Sequence, residues 1–208
     1  MPGPDPAFWE SLYAERRTPW DDGSTDPQLL SWLDDATLAP SAGRVLVPGC
    51  GSGRDVALLA ARGFEVLGLD YAGAAVQLAR ERLAAIGSAG LRGKVEQADV
   101  LSWQPDAAAT APIAAIFERT CLCALHPDHW TAYARRLHAW LPSGGRLFAQ
   151  FEQVLRAGAA DGRIEGPPYH CDIHAMRALF PSPLWLWPKP PYPRGPRGDH
   201  LALVLVRC

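Results

Sequence analysis

The stretch Val45-Leu-Val-Pro-Gly-Cys-Gly-Ser-Gly-Arg-Asp55 decides the fold. Apolar, partly β-branched residues run into three glycines at alternate positions, and then into a segment with helical spacing at Val56, Leu58, Leu59 and Ala60. A short apolar run closed by turn residues reads as a buried strand. The glycines permit a tight turn and let a ligand lie against bare backbone, while the helix that follows offers free N–H donors at its first turn. Strand, glycine turn and helix in this order form the opening unit of an alternating α/β sheet.

The pattern continues downstream. Gly63 ends the first helix, and residues 65–69, 94–98, 113–117 and 145–151 read as strands, with helices over 74–86 and 129–141. Residues 172–179 read as a helix capped by Asp172, followed by strands over 184–187 and 201–206. Residues 107–111 are a compositionally simple Ala-rich loop. Counting the run at Val45, this predicts a Rossmann-like α/β fold: a seven-stranded, mostly parallel sheet with helices on both faces. No helical segment separates the final pair of strands, so the last strand is expected to run antiparallel. Upstream, Phe8, Trp9, Leu12 and Tyr13 predict a short amphipathic helix. Thr18-Pro-Trp-Asp-Asp-Gly23 reads as a loop, and residues 27–38 as a helix with Asp26 at its N-cap. One domain over residues 1–208 is expected, with residues 1–40 as a segment preceding the sheet.

Composition narrows the partners. The 208 residues are 48% hydrophobic and 20% charged, with a formal net charge of −2. That balance gives no general attraction to nucleic acid or to an anionic membrane. No signal-type apolar segment follows the first residues, and no run reaches bilayer length. The five cysteines lack paired CxxC spacing, so reduced thiols in a cytoplasmic monomer are expected. His126, Asp128 and His129 cluster around Pro127 without matching ligands elsewhere, and no metal is expected. Cys121 and Cys123 fall at a strand end or in the loop after it, and an extended backbone there would send their side chains to opposite faces.

A dinucleotide turn carries G-x-G-x-x-G. Here Gly49, Gly51 and Gly53 alternate, and Arg54 stands where the third dinucleotide glycine belongs. The spacing disfavours a nicotinamide cofactor and matches the shorter turn of S-adenosylmethionine-dependent methyltransferases, whose cofactor has no pyrophosphate to cradle. Asp70 ends the second strand, where an acidic side chain accepts the ribose hydroxyls, and Asp99 follows the third, where one meets the adenine amino group. All three features fall at carboxyl ends of strands, the edge where open α/β sheets bind ligands.

Thr18-Pro-Trp-Asp-Asp-Gly23, Val47-Pro-Gly-Cys-Gly51 with Asp55, Gly68-Leu-Asp70 and Gly166-Pro-Pro-Tyr169 resemble the thiopurine S-methyltransferase superfamily, most closely its halide/thiol methyltransferase branch. The resemblance runs from about Phe8 to Leu179. It implies S-adenosylmethionine as cofactor, contacted by Gly49, Gly51, Asp70, Asp99 and Val100. It also implies that residues 1–40 cover the cofactor, with Trp9, Tyr13 and Trp20 where the branch has three tryptophans; Tyr13 departs from that pattern. Arg119 falls where the halide/thiol branch carries Tyr and the thiopurine branch Arg. Glu118 stands where both tend to have Asp.

Aromatic faces suit a sulfonium cation by about 0.5–2 kcal/mol each. Methyl transfer from a sulfonium is an in-line displacement that asks the protein for alignment and exclusion of water. The expected acceptor is a small soft nucleophile, a thiol or a halide. Arg119 is the candidate for favouring a thiolate or for holding an anionic part of acceptor or cofactor. Tyr169 is the candidate on the acceptor side. His126, His129 and His170 are weaker candidates for a base. The alternatives are a non-catalytic S-adenosylmethionine sensor, a thiopurine or other small-molecule methyltransferase, a nicotinamide oxidoreductase and a nucleic-acid methyltransferase.

Overall fold

A computed structural model of the chain describes residues 3–40, 43–87, 92–106 and 111–208; of the Ala-rich loop, residues 107–110 lie outside them. The elements are α1 (Pro6–Ala14), α2 (Pro27–Asp34), β1 (Arg44–Pro48), α3 (Arg54–Ala61), β2 (Val66–Asp70), α4 (Gly73–Ala85), β3 (Gly93–Gln97), β4 (Ile113–Arg119), α5 (Trp130–Trp140), β5 (Arg146–Glu152), α6 (Ile173–Leu179), β6 (Trp185–Leu186) and β7 (His200–Arg207). The strands form one seven-stranded sheet in the order β3-β2-β1-β4-β5-β7-β6. β1 to β5 pair in parallel, and β7 runs antiparallel to both β5 and β6, as the missing crossover helix predicts.

Strand alternation divides the core between the two sheet faces. Val45 and Val47 of β1, Phe117 of β4 and Phe148 of β5 pack with Leu29 and Trp32 of α2 and with Val56 and Leu59 of α3. Leu46, Ile116 and Leu147 pack on the other face with Tyr133 and Leu137 of α5 and Met176 of α6. Trp32 meets Phe148 edge-on at 5.2 Å. The expected caps form: the Asp26 carboxylate accepts from Leu29 N at 2.8 Å, and Asp172 accepts from His174 N at 2.8 Å.

Three local expectations are corrected. α2 stops at Asp34 instead of residue 38, because Asp35 turns back to accept from Thr37 N at 2.8 Å and Ala36 takes a φ of +58°. The strand at 184–187 shrinks to Trp185–Leu186, where prolines 188, 190 and 191 end the ladder. Cys121 and Cys123 are not on extended backbone. Leu122–Ala124 is a 3₁₀ turn and both cysteines are buried.

The sheet order reverses between β1 and β4. The glycine turn after β1 and the segment after β4 therefore lie side by side, which makes the crevice typical of ligand sites in open α/β sheets. β7 enters the sheet from the same edge, because an antiparallel strand begins where its parallel neighbour ends: Glu152 at the end of β5 pairs with His200 at the start of β7.

Candidate active site

A cavity of about 370 Å³ opens at this edge. Its wall takes the glycine turn from β1, Asp70 from β2, Asp99 and Val100 from beyond β3, Arg119, Thr120, Cys121 and Cys123 to Leu125 from β4 onward, Glu152 from β5 and His200 from β7. Trp9, Tyr13 and Trp20 close it from the N-terminal segment.

The turn is bare backbone by necessity. Gly49 and Gly51 adopt φ of +59° and +53°, a region L side chains rarely enter. A Cβ on Gly49 would stand 2.9 Å from Cys121 Cβ, and one on Gly51 would stand 2.5 Å from the Tyr13 hydroxyl oxygen. The Asp70 carboxylate accepts from Gly51 N at 2.9 Å and from Ala72 N at 3.0 Å, which ties the second strand to the turn. Burial pushes this carboxyl above the usual carboxylate range, against the pull of the Ala72 and Gly51 N–H groups. Asp99 is exposed on the wall and accepts from Leu101 N at 2.8 Å, while Val100 is buried beside it.

The N-terminal segment is fastened over this half of the cavity. Glu10 of α1 accepts from Ala74 N at the start of α4, at 3.1 Å. Trp9 meets Trp20 edge-on at 5.5 Å, and Trp20 Nε1 donates to the Tyr13 hydroxyl at 3.2 Å. Tyr13 is buried, and desolvation raises its phenol well above the ordinary range, reinforced by Asp70. Asp21 accepts from Arg54 and from Ser52 of the turn, and Arg54 also donates to Gly23 O at 2.8 Å. Arg54, which breaks the dinucleotide pattern, is thus the clamp that holds the Thr18–Gly23 loop.

The other half of the cavity departs from expectation. Arg119 is not a free cation. Its Nε lies 3.1 Å from Asp26 Oδ2 and its Nη1 lies 3.5 Å from Asp55 Oδ2. The remaining Asp26 oxygen takes Leu29 N and Gln150 Nε2, the latter at 2.7 Å. Asp55 Oδ1 is buried without a partner. Desolvation pushes the Asp55 carboxyl up to about 6, in spite of the neighbouring guanidinium. Glu118 does not pair with Arg119 either. It is buried, accepts from Leu122 N at 2.6 Å, and is pushed up to about 7 by desolvation.

Tyr169 does not line the cavity. Its ring is buried edge-on to His126 at 5.4 Å, and Pro167 and Pro168 line the cavity in its place. His126, His129 and His170 do not line the cavity. Among the described residues, no group of three or more His, Cys, Asp or Glu is placed to hold a metal ion.

Sequence reading missed Asp26, Asp55, Glu152, Asp199 and His200 as wall residues. Asp26 was legible only as a helix cap. His200 had a usable signal: the first residue of an antiparallel strand falls at the carboxyl edge of a parallel sheet.

The glycine cradle, the aromatic cover and the two wall carboxylates fit a nucleoside bearing a sulfonium amino acid. Residues 4–185 match the family model described as thiopurine S-methyltransferase. Thiocyanate methyltransferase 1 of Arabidopsis thaliana is 32% identical over 172 residues, covering 83% of this chain and 70% of the relative. A probable thiol methyltransferase 2 of the same organism is 30% identical over 165 residues, covering 79% and 67%. In fold, the chain is similar to magnesium protoporphyrin IX methyltransferase from Synechocystis PCC 6803 with bound SAH, at a TM-score of 0.73, 16% identity and 97% coverage of each chain.

Proposed function

The chain belongs to the thiopurine S-methyltransferase family and is an S-adenosylmethionine-dependent methyltransferase, and from that premise we propose that its acceptor is a small thiol that enters the cavity uncharged. When bound, the cofactor supplies an activated methyl group on a sulfonium. Gly49 and Gly51 would lie against its amino-acid part, Asp70 would accept the ribose hydroxyls and Asp99 the adenine amino group, with Val100 against the base. Trp9, Tyr13 and Trp20 would shield the sulfonium, favouring the cation and excluding water.

One observation carries the acceptor reading. Among the described residues, each of the three arginines on the cavity wall is already paired with a carboxylate: Arg54 with Asp21, Arg119 with Asp26 and Asp55, and Arg197 with Asp22. A halide needs a positively biased pocket, and paired guanidinium groups supply little of that bias. A neutral thiol is free of this penalty until it loses its proton. The relatives named for thiol and thiocyanate support sulfur as the attacking atom. Arg119, in this reading, is a positioning residue that fixes Asp26 and Asp55 between the cofactor turn and the acceptor pocket. The proposal further places the chain in the cytoplasm as a monomer that does not act on nucleic acid. Five unpaired thiols and the charge of −2 support that placement.

The test is a turnover panel of purified protein with S-adenosylmethionine against alkyl and aryl thiols, thiocyanate and iodide, with kcat/KM taken from headspace mass spectrometry and from S-adenosylhomocysteine formed. Thiols are expected to exceed iodide by at least about 10-fold, a difference of about 1.4 kcal/mol. Iodide or thiocyanate as the better acceptor would overturn the thiol reading. Cofactor binding without product from any acceptor would point to a sensor.

A further inference from the structure

The wall opposite the aromatic cover carries a histidine that nothing above uses. His200 opens β7, is 7% exposed, and lines the cavity together with Asp199 and Glu152. Its Nδ1 lies 2.7 Å from Asp199 Oδ1. In the neutral imidazole, a carboxylate at that distance makes Nδ1 the donor and leaves Nε2 with a lone pair. That Nε2 is buried and has no hydrogen-bond partner. The nearest polar atom recorded for it is Glu152 Oε2 at 3.5 Å, while Glu152 Oε1 is occupied by Val154 N at 2.8 Å. Nε2 and a carboxylate oxygen thus face each other at a distance longer than a hydrogen bond ordinarily spans. A buried polar nitrogen without a partner is costly, and a group of a bound ligand can supply the partner.

We propose that His200 is the catalytic base that takes the proton from the acceptor thiol, with Asp199 as its positioning residue and Glu152 as the second support of the imidazolium that results. The proposal rests on the thiol reading above. In the step, the acceptor S–H bond breaks, a bond forms between that hydrogen and Nε2, and the electron pair stays on sulfur as the nucleophile for the methyl group. The imidazolium then lies between two carboxylates, in a hydrogen-bonded row from Asp199 to Glu152. The Asp199 side chain is 39% exposed, so the proton has a short way out to solvent once transfer is over. Arg197, from the turn before β7, also lines the cavity and is held by Asp22 at 3.1 Å. The dyad thus keeps the role of proton acceptor without a competing free cation.

This arrangement explains why a cavity whose arginines are all paired would still suit a thiol. An unbiased pocket holds a neutral S–H group well, and the base generates the reactive thiolate only in place.

The experiment compares wild type with His200→Gln and Asp199→Asn, using an alkyl thiol and 4-nitrothiophenol, which is already ionised at neutral pH. General bases contribute about 10²- to 10⁴-fold. His200→Gln is therefore expected to lower kcat/KM for the alkyl thiol by at least about 100-fold, and for the preionised thiol by far less. Asp199→Asn should fall between wild type and His200→Gln. The wild-type kcat/KM for the alkyl thiol should decline toward acid pH, and that decline should be missing with 4-nitrothiophenol. This comparison needs no variant to fold. As a readout independent of turnover, ¹³C-histidine NMR should show one imidazole resonance shifting when alkyl thiol is added, and that resonance should be absent from His200→Gln. Equal losses for both thiols, or no loss for either, would overturn the base while leaving the thiol reading intact. A wild type that methylates no thiol would remove both.

Discussion

The two halves of the cavity are built on different principles. The half under the aromatic cover is made of backbone and local geometry: two glycines at positive φ, an aspartate bonded to the turn, and a loop clamped by Arg54. The half between β4, β5 and β7 is made of buried charge. There Arg119 bridges Asp26 and Asp55, and Glu152 faces His200. The first half trades on hydrogen bonds that a short motif fixes. The second trades on ion pairs that only the assembled sheet brings together. Changes in the first half are therefore expected to cost cofactor binding, and changes in the second to cost folding stability or acceptor chemistry.

The largest expected effect separates the halves. Arg119→Met leaves the Asp26 and Asp55 carboxylates buried without their cation, and breaking such a group destabilises by about 3–5 kcal/mol. Thermal or urea unfolding should show that loss. If stability is unchanged and only turnover falls, Arg119 serves the acceptor and the contrast between the halves breaks. Next comes Asp70→Ala, which removes a wall carboxylate from the cofactor half. It should weaken S-adenosylmethionine by at least about 100-fold in calorimetry, since hydrogen bonds to a charged group carry about 1.5–3 kcal/mol each. Near-native circular dichroism should accompany it.

A third effect, confined to high pH, sharpens the charge side. Glu118, at the end of β4, is held up to about 7 from the ordinary 4.5 by burial. The folded chain keeps a proton there that the unfolded chain has released, so stability falls as pH rises from about 4.5 to about 7. Asp55, pushed up to about 6, adds in the same direction at lower pH. Glu118→Gln removes the ionisation and should raise stability at pH 8 by up to about 3 kcal/mol, with little change at pH 4. A variant less stable than wild type at pH 8 would show that the carboxylate's bond to Leu122 N outweighs its desolvation.

The same contrast explains what was legible in the sequence. Gly49, Gly51, Asp70 and Asp99 follow successive strands, so strand periodicity alone brings them to one edge, and all four line the cavity. The antiparallel last strand followed from the missing helix before it. The pairing of Arg119 was not legible, because Asp26 lies 93 residues away (119 − 26) on a different element, and its capping role hides its second oxygen. Tyr169 misled because its neighbours Pro167 and Pro168 do reach the wall, while a one-residue step turns its ring into the core. The early end of α2 depended on Asp35 bonding back to Thr37, a side-chain choice that helical periodicity does not register.

The central claim is that both halves serve one transfer, from S-adenosylmethionine to a thiol sulfur. The most direct measurement supplies S-adenosylmethionine with a deuterated methyl group together with an alkyl thiol, and follows the thioether and S-adenosylhomocysteine by mass spectrometry. The account predicts one trideuteromethyl group on sulfur for each S-adenosylhomocysteine formed. Saturable cofactor binding with no labelled methyl on sulfur would contradict it.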